Sequence, residues 1–275
     1  GRCAAHAAPG ASVLRLFLSV DMVGSTEFKA RFTGQGADGW LPVFRTFFTS
    51  FPLMVAGQIG FAFLDEEATP AIDIWKVMGD EVLFTAQPET AEELTSVLLA
   101  VLKTMQLYEA RHFSELPLRL KATAWFADFD GPNIRVEVPE LSTGAGAHFD
   151  FIGPDIDLGF RITKFARPGI MVLSLDVLEV VLAATNARRA ALYMLGREPL
   201  KGVMFGRAYP IVWMRDAAEP FDFLPWEVEA DPLIAAALAA KPTPAAKLAE
   251  VIDDMRHYLK KVHGRDLRAP KLEAR

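Results

Sequence analysis

Residues 18–26 read Leu-Ser-Val-Asp-Met-Val-Gly-Ser-Thr, and the fold turns on this stretch. Working upstream, Leu14, Leu16, Leu18 and Val20 recur at every second position with Phe17 on the other side, which predicts a buried strand over residues 13–21. That strand ends on a carboxylate, Asp21. Downstream, Gly24 and Ser25 supply a tight turn and a helix cap, and Phe28 and Phe32 then stand one helical turn apart. A strand that delivers an acid to a turn, followed at once by a helix start, sets a carboxylate beside backbone N–H groups that favour phosphate oxygens.

A second helix is expected over residues 38–55. Residues 72–84 read as a hairpin folded about Gly79 and Asp80, with Ile72, Ile74, Trp75 and Val77 on one arm and Val82, Leu83 and Phe84 on the other. Thr90 and Glu93 have capping-box spacing, and Leu94, Val97, Leu98, Val101, Leu102, Met105 and Tyr108 continue a helical stripe. Strands are expected over residues 118–125, within 133–138 and over 170–174, a helix from Pro154, and a final hairpin over 199–213. The order argues for an α+β fold, a mixed or antiparallel sheet flanked by helices, and against a doubly wound sheet. Residues 1–12 predict a mobile end. From about Ala217 onward, Pro-punctuated helical patterns at 232–240 and 244–263 predict a helical C-terminal appendage, residues 217–275.

Composition narrows the partners. The 275 residues are 51% hydrophobic and 23% charged with a formal net charge of -6, so there is no broad cationic surface for a nucleic-acid backbone, while a small phosphorylated substrate needs only local positive charge. Cys3 is the only cysteine, which excludes an intrachain disulfide and a multi-cysteine metal site and suits a reducing, cytoplasmic setting. The longest apolar runs fall far short of the roughly 20 residues of a membrane span, and no membrane partner is expected. The five histidines, at positions 6, 112, 148, 257 and 263, form no ligand-spaced pair. There is neither a P-loop nor a dinucleotide fingerprint.

Taken singly, the acids are ambiguous: Asp21 can end a strand, Asp80 can serve a turn beside Gly79, and Asp157 and Arg161 can form an i,i+4 surface ion pair. Together, in order and spacing, they resemble the signature of class III adenylyl and guanylyl cyclases over about residues 13–216. LSVDMVGST at 18–26 resembles the first metal-binding segment, KVMGDEV at 76–82 the second, DFIGPDIDLGFRI at 150–162 the third motif, and LKGVMFGRAYPIVW at 200–213 the closing hairpin.

That resemblance implies a ferredoxin-like cyclase fold and a reaction that closes a nucleoside triphosphate into a 3',5'-cyclic nucleotide with release of pyrophosphate. It implies two divalent ions, Mg²⁺ or Mn²⁺, held by Asp21, the main chain at Met22, and Asp80. Gly24, Ser25 and Thr26 fall at the triphosphate, Lys76 and Asp150 at the base, Asp157 at the ribose, and Arg161 at the transition state. A homodimer with shared active sites follows from the same likeness. The family usually places Asn where this chain has Asp157. A Lys donor and a carboxylate acceptor suit adenine, but equally O4 and N3–H of uracil or the amino group of cytosine. The stand-alone core with its altered third motif resembles the pyrimidine cyclases of bacterial anti-phage signalling, which would feed a downstream cyclic-nucleotide sensor. UTP ranks first, then CTP, with an adenylate cyclase and a non-catalytic cyclase-like dimerisation or sensing domain as the alternatives. Residues 78–82, Met-Gly-Asp-Glu-Val, lack the paired glycines of a diguanylate cyclase.

Overall fold

The alternation around Asp21 becomes the centre of a sheet with two unlike faces. The computed structural model describes residues 14–32, 34, 36–66, 68–139, 148–264, 266–267 and 272; the tail expected at 1–12 lies outside them. Strand β1 (Leu14–Val23) pairs antiparallel with β3 (Glu81–Ala86) on one side and β4 (Arg119–Asp128) on the other. With β2 (Ile72–Met78), β7 (Met171–Leu173), β8 (Ala190–Glu198) and β9 (Tyr209–Asp216), the strand order is β2-β3-β1-β4-β7-β9-β8. Among the described strands only the β4–β7 pairing is parallel, and the chain reaches it by crossing the sheet through α4 (Pro154–Ile162).

Leu16, Leu18 and Val20 point into the main core, where α2 (Leu41–Ala62), α3 (Ala91–Tyr108) and α5 (Leu175–Ala183) bring Phe47, Phe51, Leu98 and Leu178. On the opposite face Phe17 joins Trp75, Leu83, Trp125, Phe151 and Ile156 in a smaller, aromatic cluster. Phe17 stacks on Trp125 at 5.7 Å and meets Trp75 and Phe151 edge-on at 5.1 and 5.2 Å, the arrangements that ring quadrupoles favour. This second cluster seats α4 and a separate two-stranded ribbon of β5 (Ile134–Glu137) and β6 (Phe149–Ile152). Gly159 makes the seat possible, because a Cβ there would lie 2.2 Å from the Trp125 ring.

Several boundaries differ from the sequence expectation. β1 continues past Asp21 to Val23, so the acid sits within the ladder and not at its end. α2 runs on to Ala62, through Pro52 and two glycines, because Val55 and Ile59 prolong its buried stripe. The closing hairpin is β8 with β9, so residues 199–208 form its connection. α5, unforeseen, is capped by the Ser174 hydroxyl accepting from the Val177 N–H. Thr90 caps α3 as expected, but the Glu93 carboxylate accepts from the Glu89 N–H.

Beyond β9 come the tail helices α6 (Pro225–Ala230), α7 (Pro232–Ala239) and α8 (Ala245–His263). Leu248, Ile252, Met255 and Leu259, spaced four, three and four apart, give α8 one buried stripe. Among the described residues no helix is long and apolar enough to cross a membrane.

Candidate functional site

The residues singled out in the sequence gather into three places. The first is the mouth of β1. Ladder register sets Asp21 opposite Glu81 on β3 and Lys121 on β4, so three charged side chains leave one face of the sheet side by side. Lys121 Nζ lies 3.1 Å from the Asp21 carboxylate. Glu81 accepts from the Ser19 hydroxyl. Asp80, in the β2–β3 turn, is tied to the same spot twice: its carbonyl accepts from the Met22 N–H at 3.3 Å, and its carboxylate accepts from the Ser25 hydroxyl. Ser25 therefore links to Asp80 and does not cap α1 (Ser25–Ala30), whose N-cap position is Gly24.

Gly24 takes a left-handed φ of 84°, and a Cβ there would meet the Pro117 carbonyl at 2.6 Å, so only glycine turns the chain here. Thr26 is exposed on the first turn of α1. With six residues, α1 has a small macrodipole, and positive potential at this mouth comes mainly from Lys121 and the local N–H groups.

Electrostatic crowding marks this mouth. Burial pushes the Asp21 carboxyl up, Lys121 opposes the rise, and the Asp80 charge adds to it. Burial also pushes Glu81 up, against the Ser19 hydrogen bond and with the charges of Asp21 and Asp80 behind it. Asp21, Asp80 and the Met22 main-chain carbonyl make an all-oxygen donor set that suits a hard divalent cation, which would relieve that crowding. The Met22 side chain is 2% exposed and turned into the core, so only its carbonyl can serve. Among the described residues no cluster of three or more His, Cys, Asp or Glu side chains is arranged to hold a metal, so such an ion would draw on that carbonyl, water or substrate oxygens as well.

The second place joins β2 to β6. Lys76 Nζ lies 2.9 Å from the Asp150 carboxylate and 4.0 Å from the centre of the Trp75 ring. Asp150 also accepts from the Phe151 N–H at 2.9 Å. The pair presents one cationic donor and one carboxylate acceptor, both partly exposed.

The third place is a cavity of about 240 Å³ at the far end of the sheet, lined by Asp157, Leu158 and Arg161 of α4 together with Leu14, Gly202 and Leu259. The i,i+4 ion pair that the sequence allows is absent: among the described residues neither the Asp157 carboxylate nor the Arg161 guanidinium has a hydrogen-bond or ion-pair partner. Along β1, Leu14 and Asp21 stand about 23 Å apart at the usual strand rise, so one chain keeps the carboxylate mouth and this cavity well separated.

Lys121 escaped the sequence reading. Its signal was a lysine inside a strand whose neighbours Leu120, Ala122 and Ala124 are buried, but only ladder register shows that it meets Asp21.

No family model matches the chain, and no curated protein sequence does. Solved structures do. The adenylyl cyclase CyaB from P. aeruginosa aligns with a TM-score of 0.53 at 14% identity, over 76% of this chain and 97% of that one. The catalytic core of a rhodopsin-guanylyl cyclase with converted specificity, in complex with ATPαS, aligns with a TM-score of 0.53 at 11% identity, over 74% and 96%. The chain thus has the fold of adenylyl and guanylyl cyclase domains.

Proposed function

We propose that this chain is a class III nucleotidyl cyclase that converts a nucleoside triphosphate, UTP before CTP, into its 3',5'-cyclic monophosphate and pyrophosphate, with residues 13–216 as the catalytic unit. The observation that carries the proposal is the meeting of Asp21, Asp80, Ser25 and Lys121 at one sheet mouth, on a fold shared with cyclases. Asp21, Asp80 and the Met22 carbonyl would hold two divalent ions, Mg²⁺ or Mn²⁺, which when bound supply Lewis-acid charge for the 3'-hydroxyl and the leaving pyrophosphate.

The chain's own groups do the rest. Lys121 can leave Asp21 for a phosphate oxygen once cationic charge is present there, and the N–H groups after Gly24 donate to the same triphosphate. Arg161, with no partner among the described residues, is available to meet negative charge growing at the α-phosphate. Asp157 accepts from a ribose hydroxyl. Lys76 and Asp150 read the base edge.

The separation within one chain of the carboxylate mouth from Arg161 supports a homodimer in which Asp21 and Asp80 of one subunit face Lys76, Asp150, Asp157 and Arg161 of the other. The exposed apolar residues Ile134 and Ile152 on the β5–β6 ribbon and Ile74, Val77 and Met78 on edge strand β2 give that dimer apolar surface to bury. The pyrimidine preference draws on the Asp157 departure and on likeness to the cyclases of anti-phage signalling, where the product would act on a cyclic-nucleotide-sensing effector.

Separate incubations with ATP, GTP, CTP and UTP, with Mg²⁺ or Mn²⁺, test this reading. Cyclic UMP as the main product is expected. Cyclic AMP as the main product would make the chain an adenylate cyclase, a base that the Lys76–Asp150 pair also suits. No cyclic product under any condition would leave a non-catalytic cyclase-like domain.

A further inference from the structure

Arg161 shares its cavity with Asp155, Asp157, Asp176 and Asp266 but is tied directly to none of them. With no hydrogen bond or ion pair to any described residue, its place in the cavity depends on the walls, and one wall is the β8–β9 connection: a side chain begun at Gly202 would come within 3.9 Å of the guanidinium. That connection has two turn hydrogen bonds of its own, Val203 N–H to the Leu200 carbonyl and Arg207 N–H to the Met204 carbonyl, but it carries a strained residue between them. Met204 has a φ of 55°, the single positive φ of a non-glycine residue among those described, and a side chain in that region is strained.

The restraint comes from α8, outside the part that resembles a cyclase. The Tyr258 hydroxyl donates to the Met204 carbonyl at 3.0 Å. Asp254 accepts from Arg197 on β8 at 3.1 Å and from Arg207 beyond the turn at 2.6 Å, so one carboxylate clamps both ends of the connection. Arg207 also lies over the Tyr258 ring at 4.5 Å. α8 is in turn pinned to α5 by Arg256, 2.5 Å from Glu179, and Arg256 holds Asp266 at 3.0 Å, with Asp266 and Leu267 lining the same cavity as Arg161.

We propose that Tyr258 and Asp254 of α8 are positioning residues for Arg161: they hold the strained β8–β9 connection against its guanidinium, so the C-terminal appendage sets the geometry of the charge-stabilising arginine. The effect on turnover rests on the cyclase reading; the effect on Arg161 does not. An arginine with no direct hydrogen bond or ion pair to fix it is sensitive to a shift of the wall, and small misplacements of a catalytic group are costly.

The test uses the full chain carrying Tyr258→Phe, Asp254→Asn or Asp254→Glu. Turnover, KM, melting temperature and the ¹⁵Nε–H resonance of Arg161, assigned by its loss in Arg161→Lys, are measured in each. Tyr258→Phe and Asp254→Asn should lower kcat by roughly 3- to 10-fold with KM within about twofold, and should displace the Arg161 resonance. Asp254→Glu, which keeps the carboxylate, should restore most of the turnover. An unmoved Arg161 resonance overturns the proposal, as does a kcat that falls only in step with the folded fraction. Should the wild-type chain form no cyclic nucleotide, the cyclase reading falls, and the resonance alone decides: displaced in both variants, the positioning role stands; unmoved, it fails.

Discussion

The two ends of the central strands are built in opposite ways. At the β1 mouth the acids are committed: Asp21 to Lys121 and Glu81 to Ser19 on ladder positions whose register leaves them no choice, and Asp80 of the β2–β3 turn to Ser25 of α1. At the α4 end Asp157 and Arg161 face a cavity with no direct polar partner among the described residues, and a loop and a C-terminal helix supply part of its walls. The mouth has crowded negative charge in need of a cation, and the cavity holds a guanidinium that none of the carboxylates around it engages directly. Neither is complete alone, and a substrate carrying phosphates, bound with metal between two copies, would complete both.

The sharpest way to break this contrast is to neutralise the mouth. Asp21→Asn and Asp80→Asn should each reduce turnover to background while the melting temperature holds, since burial and mutual repulsion already disfavour the charged form of Asp21. Activity within a few-fold of wild type in both variants would remove the metal assignment. At the other end, Arg161→Ala should lower turnover by roughly 10²- to 10³-fold and leave melting unchanged, because no ion pair is lost. A fall in stability with turnover preserved would mean that Arg161 serves the fold.

Gly159→Ala asks whether the cavity depends on the seat of α4. A Cβ would meet the Trp125 ring at 2.2 Å, and overpacking of this kind destabilises by about 1–3 kcal/mol, read as a lower melting temperature with weaker turnover. Unchanged melting would show that α4 sits more loosely than described.

The smallest effect concerns Lys76 and Asp150. Burial of Asp150 works against its charge, but the hydrogen bonds from Lys76 and the Phe151 N–H, with the Lys76 charge, hold its carboxyl below the usual range. A depressed carboxyl stabilises the folded state above its unfolded pKa of about 3.9 and loses that contribution as pH falls through the lower folded value. Since the Asp150 side chain is 39% exposed, the contribution should be below about 1 kcal/mol. Asp150→Asn should therefore be slightly less stable than wild type at neutral pH and equal to it at the acid end. A constant difference across that range would contradict the assignment.

How far these regions were legible in the sequence follows from what each element depends on. β1, the Gly79–Asp80 hairpin and α3 were readable because alternation, a turn glycine and a capping threonine act over a few residues. α5 was missed because Leu175, Val177, Leu178, Val180 and Val181 are all buried, which leaves Asp176 and Glu179 as a polar stripe too narrow to set a period in nine residues. The Asp21–Lys121 pair, 100 positions apart, depends on register between strands, and the grip of Tyr258 on Met204 depends on where α8 docks. Local pattern carries neither. The candidate site residues were singled out through motif resemblance; their grouping into three places came from the fold.

The claim that two copies complete one another is tested most directly by mixing two inactive proteins, one carrying Asp21→Asn and the other Arg161→Ala, after a labelled-chain assay has shown that subunits exchange. With a two-fold dimer, the mixed species gathers both lesions into one site and leaves the other intact. Random exchange makes about half the dimers mixed, each with one working site of two, so about a quarter of wild-type turnover should return if the sites act independently. A fully exchanged mixture that stays inactive would contradict the shared site.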